Sequence, residues 1–186
     1  MHPLAEQTRR ASVSSPAPAE EEQWVSLCSL RVGDGLFGIE TSKIREVLGR
    51  REVQRVPLAP SFIGGVVTYR GEVLTSVCFR ALINLKPVDR QACVLVLDDA
   101  EKGENFGLCV DSVGGVVTVS RRMLAPNPST LDERGKLLFD GAYRMPQGLM
   151  VQLDPQKLRP ARLSASGLFR NALAAPEYER ETTCAL

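Results

Sequence analysis

The chain of 186 residues carries 23 basic and 22 acidic side chains for a formal net charge of +1, so no global field steers it toward nucleic acid or an anionic membrane. That length buries a core without metal or disulfide support, and no apolar run nears the roughly 18 residues that span a bilayer. The first residues lack the apolar stretch of a secretory signal, and the expected compartment is the cytoplasm, with no insertion into a membrane.

Histidine is scarce in an informative way. The single one, His2, stands in a polar, Pro/Ser-containing leader, residues 1–22, whose composition predicts disorder. A Ser/His or Cys/His catalytic pair, a His-ligated zinc or a phospho-accepting histidine therefore has nothing to build on, and the acids are scattered through turns. The sequence predicts no catalytic group, no metal and no cofactor. The cysteines (Cys28, Cys78, Cys93, Cys109 and Cys184) are odd in number, form no CxxC and lie mostly inside apolar runs, where free cysteine acts as a small hydrophobe.

From Trp24 onward, short β-rich runs alternate with turn signals. WVSLCSLRV, GDG and LFGI read as a first hairpin. GDGLFG also fits G-x-G-x-x-G, but no long helix follows it, so its glycines mark a turn and not a dinucleotide site. KIREVLGRREVQR, residues 43–55, gathers basic charge and reads either as a solvated edge that resists strand-to-strand pairing or as a contact patch for an acidic partner. FIGGVVTY, RGE and VLTSVCF make a second hairpin with Arg70-Gly71 at its tip, because glycine takes the positive φ of tight turns and a charge belongs where strands break into water. A helical piece is expected at 79–85. ACVLVLDD, EKGEN and FGLCV, then LLFDGAY, MPQG and LMVQL, give two further hairpins, and Leu168, Phe169, Ala172, Leu173 and Ala175 suggest a C-terminal helix at 168–180, packed on the protein itself.

The chain repeats itself. FGIETSKIREVL (37–48) aligns on FGLCVDSVGGVV (106–117) at an offset of 69, with Ile39/Leu108, Ile44/Val113 and Val47/Val116 in step. VLTSVCFRAL (73–82) aligns on LMVQLDPQKL (149–158) at an offset of 76, with Val77/Leu153 in step. Two matches in the same order indicate two copies of one unit. The expected architecture is all-β: two packed five-stranded SH3-like barrels with short helices and a helical tail at 161–186, lobe one at 24–85 and lobe two at 92–158.

At this point the ordered set FGI, IREVL, VPLAPSFIGGVVTYRGEVL, VLVLDD, FGLCVDSV and GLMVQLDPQKL resembles the CheW-like coupling proteins of bacterial chemosensory pathways, over about residues 24–160. The resemblance implies two five-stranded barrels and a non-enzymatic adaptor. Its partners would be the regulatory domain of a CheA-type histidine kinase and the cytoplasmic tip of methyl-accepting chemoreceptors, which would recruit it to membrane-associated arrays. Carried over by position, it implies that Arg70 and Gly71 are the family's turn arginine and glycine, that Gly65 opens their strand, and that Ile44, Glu46 and Val47 face partners. Thr68-Tyr69 and Val77-Cys78-Phe79 depart from the family's Asn-Leu and Val-Asp-Leu. Two other readings stand beside this one: a scaffold of a divergent pathway such as pilus or surface-motility control, and a generic SH3-like barrel that binds peptide or nucleic acid. Arg70 reads as a recognition residue, and Arg121 as a position where charge reversal does little.

Overall fold

The computed structural model describes residues 22–86, 91–98 and 105–169. The predicted leader up to residue 21 and the stretch 170–186 lie outside the described residues. Ten strands occur among the described residues, in chain order β1 (Trp24–Val32), β2 (Gly35–Glu40), β3 (Ile44–Glu52), β4 (Ile63–Tyr69), β5 (Glu72–Cys78), β6 (Gln91–Asp98), β7 (Asn105–Val110), β8 (Ser112–Ser120), β9 (Phe139–Met145) and β10 (Gly148–Leu153). They form two five-stranded sheets, ordered β8-β1-β2-β10-β9 and β3-β6-β7-β5-β4. The all-β class and the paired five-stranded units are as the sequence predicts.

The expected lobe boundaries need correction. The repeat is real, but its two copies exchange halves: β1 and β2 of the first copy sit with β8, β9 and β10 of the second, while β3, β4 and β5 sit with β6 and β7. The exchange happens where the chain leaves one sheet for the other, at the 3-10 turn Thr41–Lys43 after β2 and at Asp111 after β7. It also explains the two parallel pairings, which match residue for residue: Val77 opposite Leu108 in β5/β7, and Leu153 opposite Ile39 in β10/β2. Alternating polarity fixes which face of a strand is buried, not which copy supplies its neighbour, so periodicity could not have distinguished exchange from closure within each copy.

Burial follows the same logic. The largest apolar cluster lies between the sheets and draws Leu30, Phe37 and Ile39 from one, Val77, Leu95, Leu97 and Leu108 from the other. Each sheet also curls around a smaller core, Val67, Tyr69, Leu74, Val94 and Val96 in one and Val25, Leu27, Tyr143 and Met150 in the other. β6 is therefore buried on both faces, and its run Val94-Leu95-Val96-Leu97 is fully enclosed, which is why it reads as continuously apolar.

One backbone bridge closes each curl. Gln54 and Val66 exchange hydrogen bonds of 3.0 and 2.8 Å, and Ala125 and Ala142 exchange two of 2.9 Å. Beside each bridge sits a glycine at large positive φ, Gly65 at 142° and Gly141 at 152°. A Cβ on Gly65 would drive into the Gln54 carbonyl oxygen, and one on Gly141 into that of Ala125. Gly65 is thus required by strand closure.

The helices differ from expectation in extent. α1 (Phe79–Leu82) is a single turn that stops at Ile83, shorter than 79–85. α2 (Glu133–Leu138) was not foreseen; the Asp132 carboxylate caps it by accepting the Gly135 N–H at 2.7 Å, and it absorbs the first two residues of the run read as LLFDGAY. α3 (Pro160–Ser166) ends at Gly167 in the left-handed region. Leu168 and Phe169 lie beyond that stop and are not helical, against the expected helix from 168. Phe169 does pack on the protein itself, against Phe62 at 6.2 Å between ring centroids.

An ionic clasp joins the two sheets. Arg80, in α1, donates from Nε to Asp111 Oδ1 at 2.6 Å and from Nη2 to Oδ2 at 2.7 Å, and Asp111 also accepts the Gly33 N–H from the β1–β2 turn at 2.7 Å. Arg80 holds the Asp111 carboxyl below the usual carboxylate range, with the Gly33 amide assisting against partial burial.

Candidate partner-binding site

The tip of the β4–β5 hairpin is a two-residue turn, with Tyr69 opposite Glu72 and Arg70-Gly71 between them. Both turn residues have positive φ, 50° and 85°, as the twist-matched type I′ turn requires. Glycine adopts that conformation freely; arginine does so against its side-chain sterics. The turn therefore holds an arginine where asparagine or glycine would be the less strained choice.

Two side chains, Glu46 and Tyr69, lock that arginine in place. Arg70 Nη2 donates to Glu46 Oε2 at 2.8 Å, and the Tyr69 hydroxyl donates to the same oxygen at 2.9 Å. The guanidinium also lies over the Tyr69 ring, 5.1 Å from its centroid. Tyr69 is itself wedged into the core of its barrel, so its hydroxyl reaches Glu46 from a fixed base. The Tyr69 hydroxyl first and Arg70 second hold the Glu46 carboxyl below its ordinary range, and the hydrogen bond to Glu46 pushes the Arg70 guanidinium higher still. Despite these contacts the Arg70 side chain stays 74% exposed. What results is a fixed, always-charged planar donor at the end of a sheet, suited to a carboxylate or carbonyl group on another protein.

Of the residues assigned from the sequence, the structure brings together Arg70, Gly71 and Glu46. Val47 is next along β3 and exposed. Ile44 is half-buried against the core between the sheets, opposite Leu97, and Gly65 has the backbone role described above. The sequence reading missed Tyr69 as part of the site. Its signal was the aromatic immediately before Arg-Gly, which an inward-facing strand position leaves able to reach across only at its hydroxyl. Arg121 also differs from expectation: its Nη2 donates to the buried Glu40 carboxylate at 3.0 Å, so it is not a neutral position.

Three of the described thiols, Cys28, Cys78 and Cys109, are structural. Burial pushes Cys109 up to about 12 and raises Cys28 and Cys78 as well, and a thiol so shifted is a poor nucleophile. Among the described residues no group of His, Cys, Asp and Glu is placed to hold a metal ion, and no helix is long and apolar enough to cross a membrane.

Comparison with known proteins gives a consistent result. A family model described as a CheW-like domain matches residues 26–161. A chemotaxis protein CheW of Rhizobium meliloti is 31% identical over 121 residues, covering 62% of this chain and 78% of that protein. A probable chemotaxis protein CheW of Rhizobium etli is 29% identical over 132 residues, covering 71% and 85%. Among solved structures, the scaffolding protein TtCheW from Thermoanaerobacter tengcongensis superposes with a TM-score of 0.62 at 16% identity, covering 71% of this chain and 90% of that one.

Proposed function

The chain belongs to the CheW-like family, and from that premise we propose that it is a non-enzymatic adaptor coupling chemoreceptors to a CheA-type histidine kinase. In this reading it works in the cytoplasm, recruited to receptor arrays, and joins the kinase's regulatory domain to the receptors' cytoplasmic tips. The observation that carries the reading is the Arg70 tip: a strained, left-handed arginine, fixed by Glu46 and Tyr69 yet largely exposed. Strain of this kind persists where the surroundings over-determine it and where it serves a function. Pre-fixing a long side chain removes the ordering entropy that binding would otherwise spend, which favours affinity without added area.

The adaptor reading needs no chemistry from the chain, in keeping with the buried thiols and the lone histidine of the leader. Its test is a reconstitution with the kinase and the receptor cytoplasmic fragments of the same organism. Receptor control of kinase autophosphorylation is expected only when this chain is added, with no phosphoryl group retained on it. Kinase control that is indifferent to the chain, or stable label on the chain, would refute the reading.

A further inference from the structure

A run of arginines at the end of β3 lacks acids of its own. Arg45, Arg70, Arg80 and Arg121 hold the carboxylates of Asp98, Glu46, Asp111 and Glu40. Arg50 and Arg51 in β3 and Arg55 just past it are exposed. Among the described residues none of these three forms an ion pair, and Glu52 is the one acid that stands among them. Uncovered charge of one sign along the last strand of a sheet draws an acidic segment.

The chain itself supplies one, and Phe169 fixes where it starts. Phe169 is fully buried, with the Phe62 ring centroid 6.2 Å from its own and the Arg134 guanidinium 5.6 Å away. Phe62 stands just ahead of β4, its carbonyl accepting the Cys78 N–H at 2.8 Å. The antiparallel bridge of Gln54 with Val66 brings Arg55 alongside the first residues of β4. Arg55 is thus about 10 Å from Phe62 along the strand, and Arg51 about 13 Å farther on.

Residues 170–186 read RNALAAPEYERETTCAL, in which Glu177, Glu179 and Glu181 alternate with other residues. In an extended segment that alternation puts all three carboxylates on one side. Fully extended, the chain reaches about 27 Å from Phe169 to Glu177 and about 40 Å to Glu181, enough to span Arg55 and Arg51.

We infer that residues 176–181, PEYERE, dock on the basic end of β3 in the same chain, with Glu177, Glu179 and Glu181 meeting Arg50, Arg51 and Arg55. Exposed ion pairs are individually weak. Tethering at Phe169 makes the encounter intramolecular, at an effective concentration on the order of millimolar, so several weak contacts together hold the segment in place for much of the time. An acidic partner seeking this stretch of β3 finds it already covered and must displace the segment first.

Carbodiimide, which joins an amine to a carboxylate where the two are in contact, tests this in the full chain. Arg51→Lys and Arg55→Lys keep the charge and supply the amine; Arg144→Lys, exposed on β9 of the other sheet, is the control. Links from residue 51 or 55 to Glu177, Glu179 or Glu181 are expected in the monomer band, at about fivefold or more the yield from residue 144. Their yield is expected to fall by about half or more in about 0.5 M salt. A yield at 51 and 55 no greater than at 144, links confined to the dimer band, or a yield indifferent to salt would each overturn the inference.

Discussion

At the tip of the β4–β5 hairpin stand Arg70 and Gly71; at the equivalent place in the β9–β10 hairpin stand Pro146 and Gln147. The partners of the first tip have no counterparts either, since Gly115 occupies the place of Glu46 and Met145 that of Tyr69. Other positions agree closely: Gly65 with Gly141, the bridge at Gln54 with that at Ala125, and the parallel pairs at Val77 and Leu153. What repeats is what closes a curled sheet. What does not repeat is the fixed, charged tip, and on the adaptor reading proposed above that contrast separates residues that serve the fold from residues that serve recognition.

The strongest way to break the comparison is at the paired glycines. Gly65→Val and Gly141→Val should each destabilise the chain by about 4 kcal/mol or more, because a side chain there meets a carbonyl that the bridge cannot surrender. Urea unfolding of both variants checks this. A tolerated Gly141→Val beside a disrupted Gly65→Val would show that the two closures are not equivalent.

Two ionic contacts come next, each expected at about 2 kcal/mol. Arg121→Glu sets a second carboxylate against buried Glu40 and should lower stability by that amount, whereas exposed Arg144→Glu should stay within about 0.5 kcal/mol. Arg80→Ala opens the clasp on Asp111, while its counterpart Gln156→Ala should lose less than about 1 kcal/mol. The clasp also carries a pH signature. The Asp111 carboxyl is depressed in the folded state, so its contribution is full above about pH 4, the unfolded range for aspartate, and is lost as pH falls through the lower folded value. Unfolding curves taken at falling pH should show a shallower acid loss in Arg80→Ala than in the parent.

Much of this was legible from the sequence where local signals are strong. The run WVSLCSLRV is β1 to the residue, and the polar break RGE with Arg70-Gly71 at its tip located the β4–β5 hairpin. β3 and β8 were not recognised as strands because bulges break their alternation, at Ile44/Glu46 and Val47/Gly49 in one and opposite Cys28/Leu30 in the other. Residues 43–55 do form a sheet edge, as β3 ends its sheet with Arg45, Arg50 and Arg51 exposed, an arrangement that both readings of that basic stretch share. The exchange of halves depends on which copy pairs with which, and the meeting of Glu46 with Tyr69 on the curl that brings β3 back toward β4; no local pattern encodes either.

The central claim is that the Arg70 tip is a recognition device, and a direct binding titration tests it. Arg70→Glu and Arg144→Glu, equivalent in charge change and both exposed, would be compared for affinity toward the kinase and the receptor fragment after circular dichroism shows both folded. The account predicts a loss of roughly thirtyfold for at least one of these proteins with Arg70→Glu, as reversal of an anchoring arginine adds repulsion to a lost contact, and less than twofold for either with Arg144→Glu. A folded Arg70→Glu that binds both proteins as the parent does would contradict it.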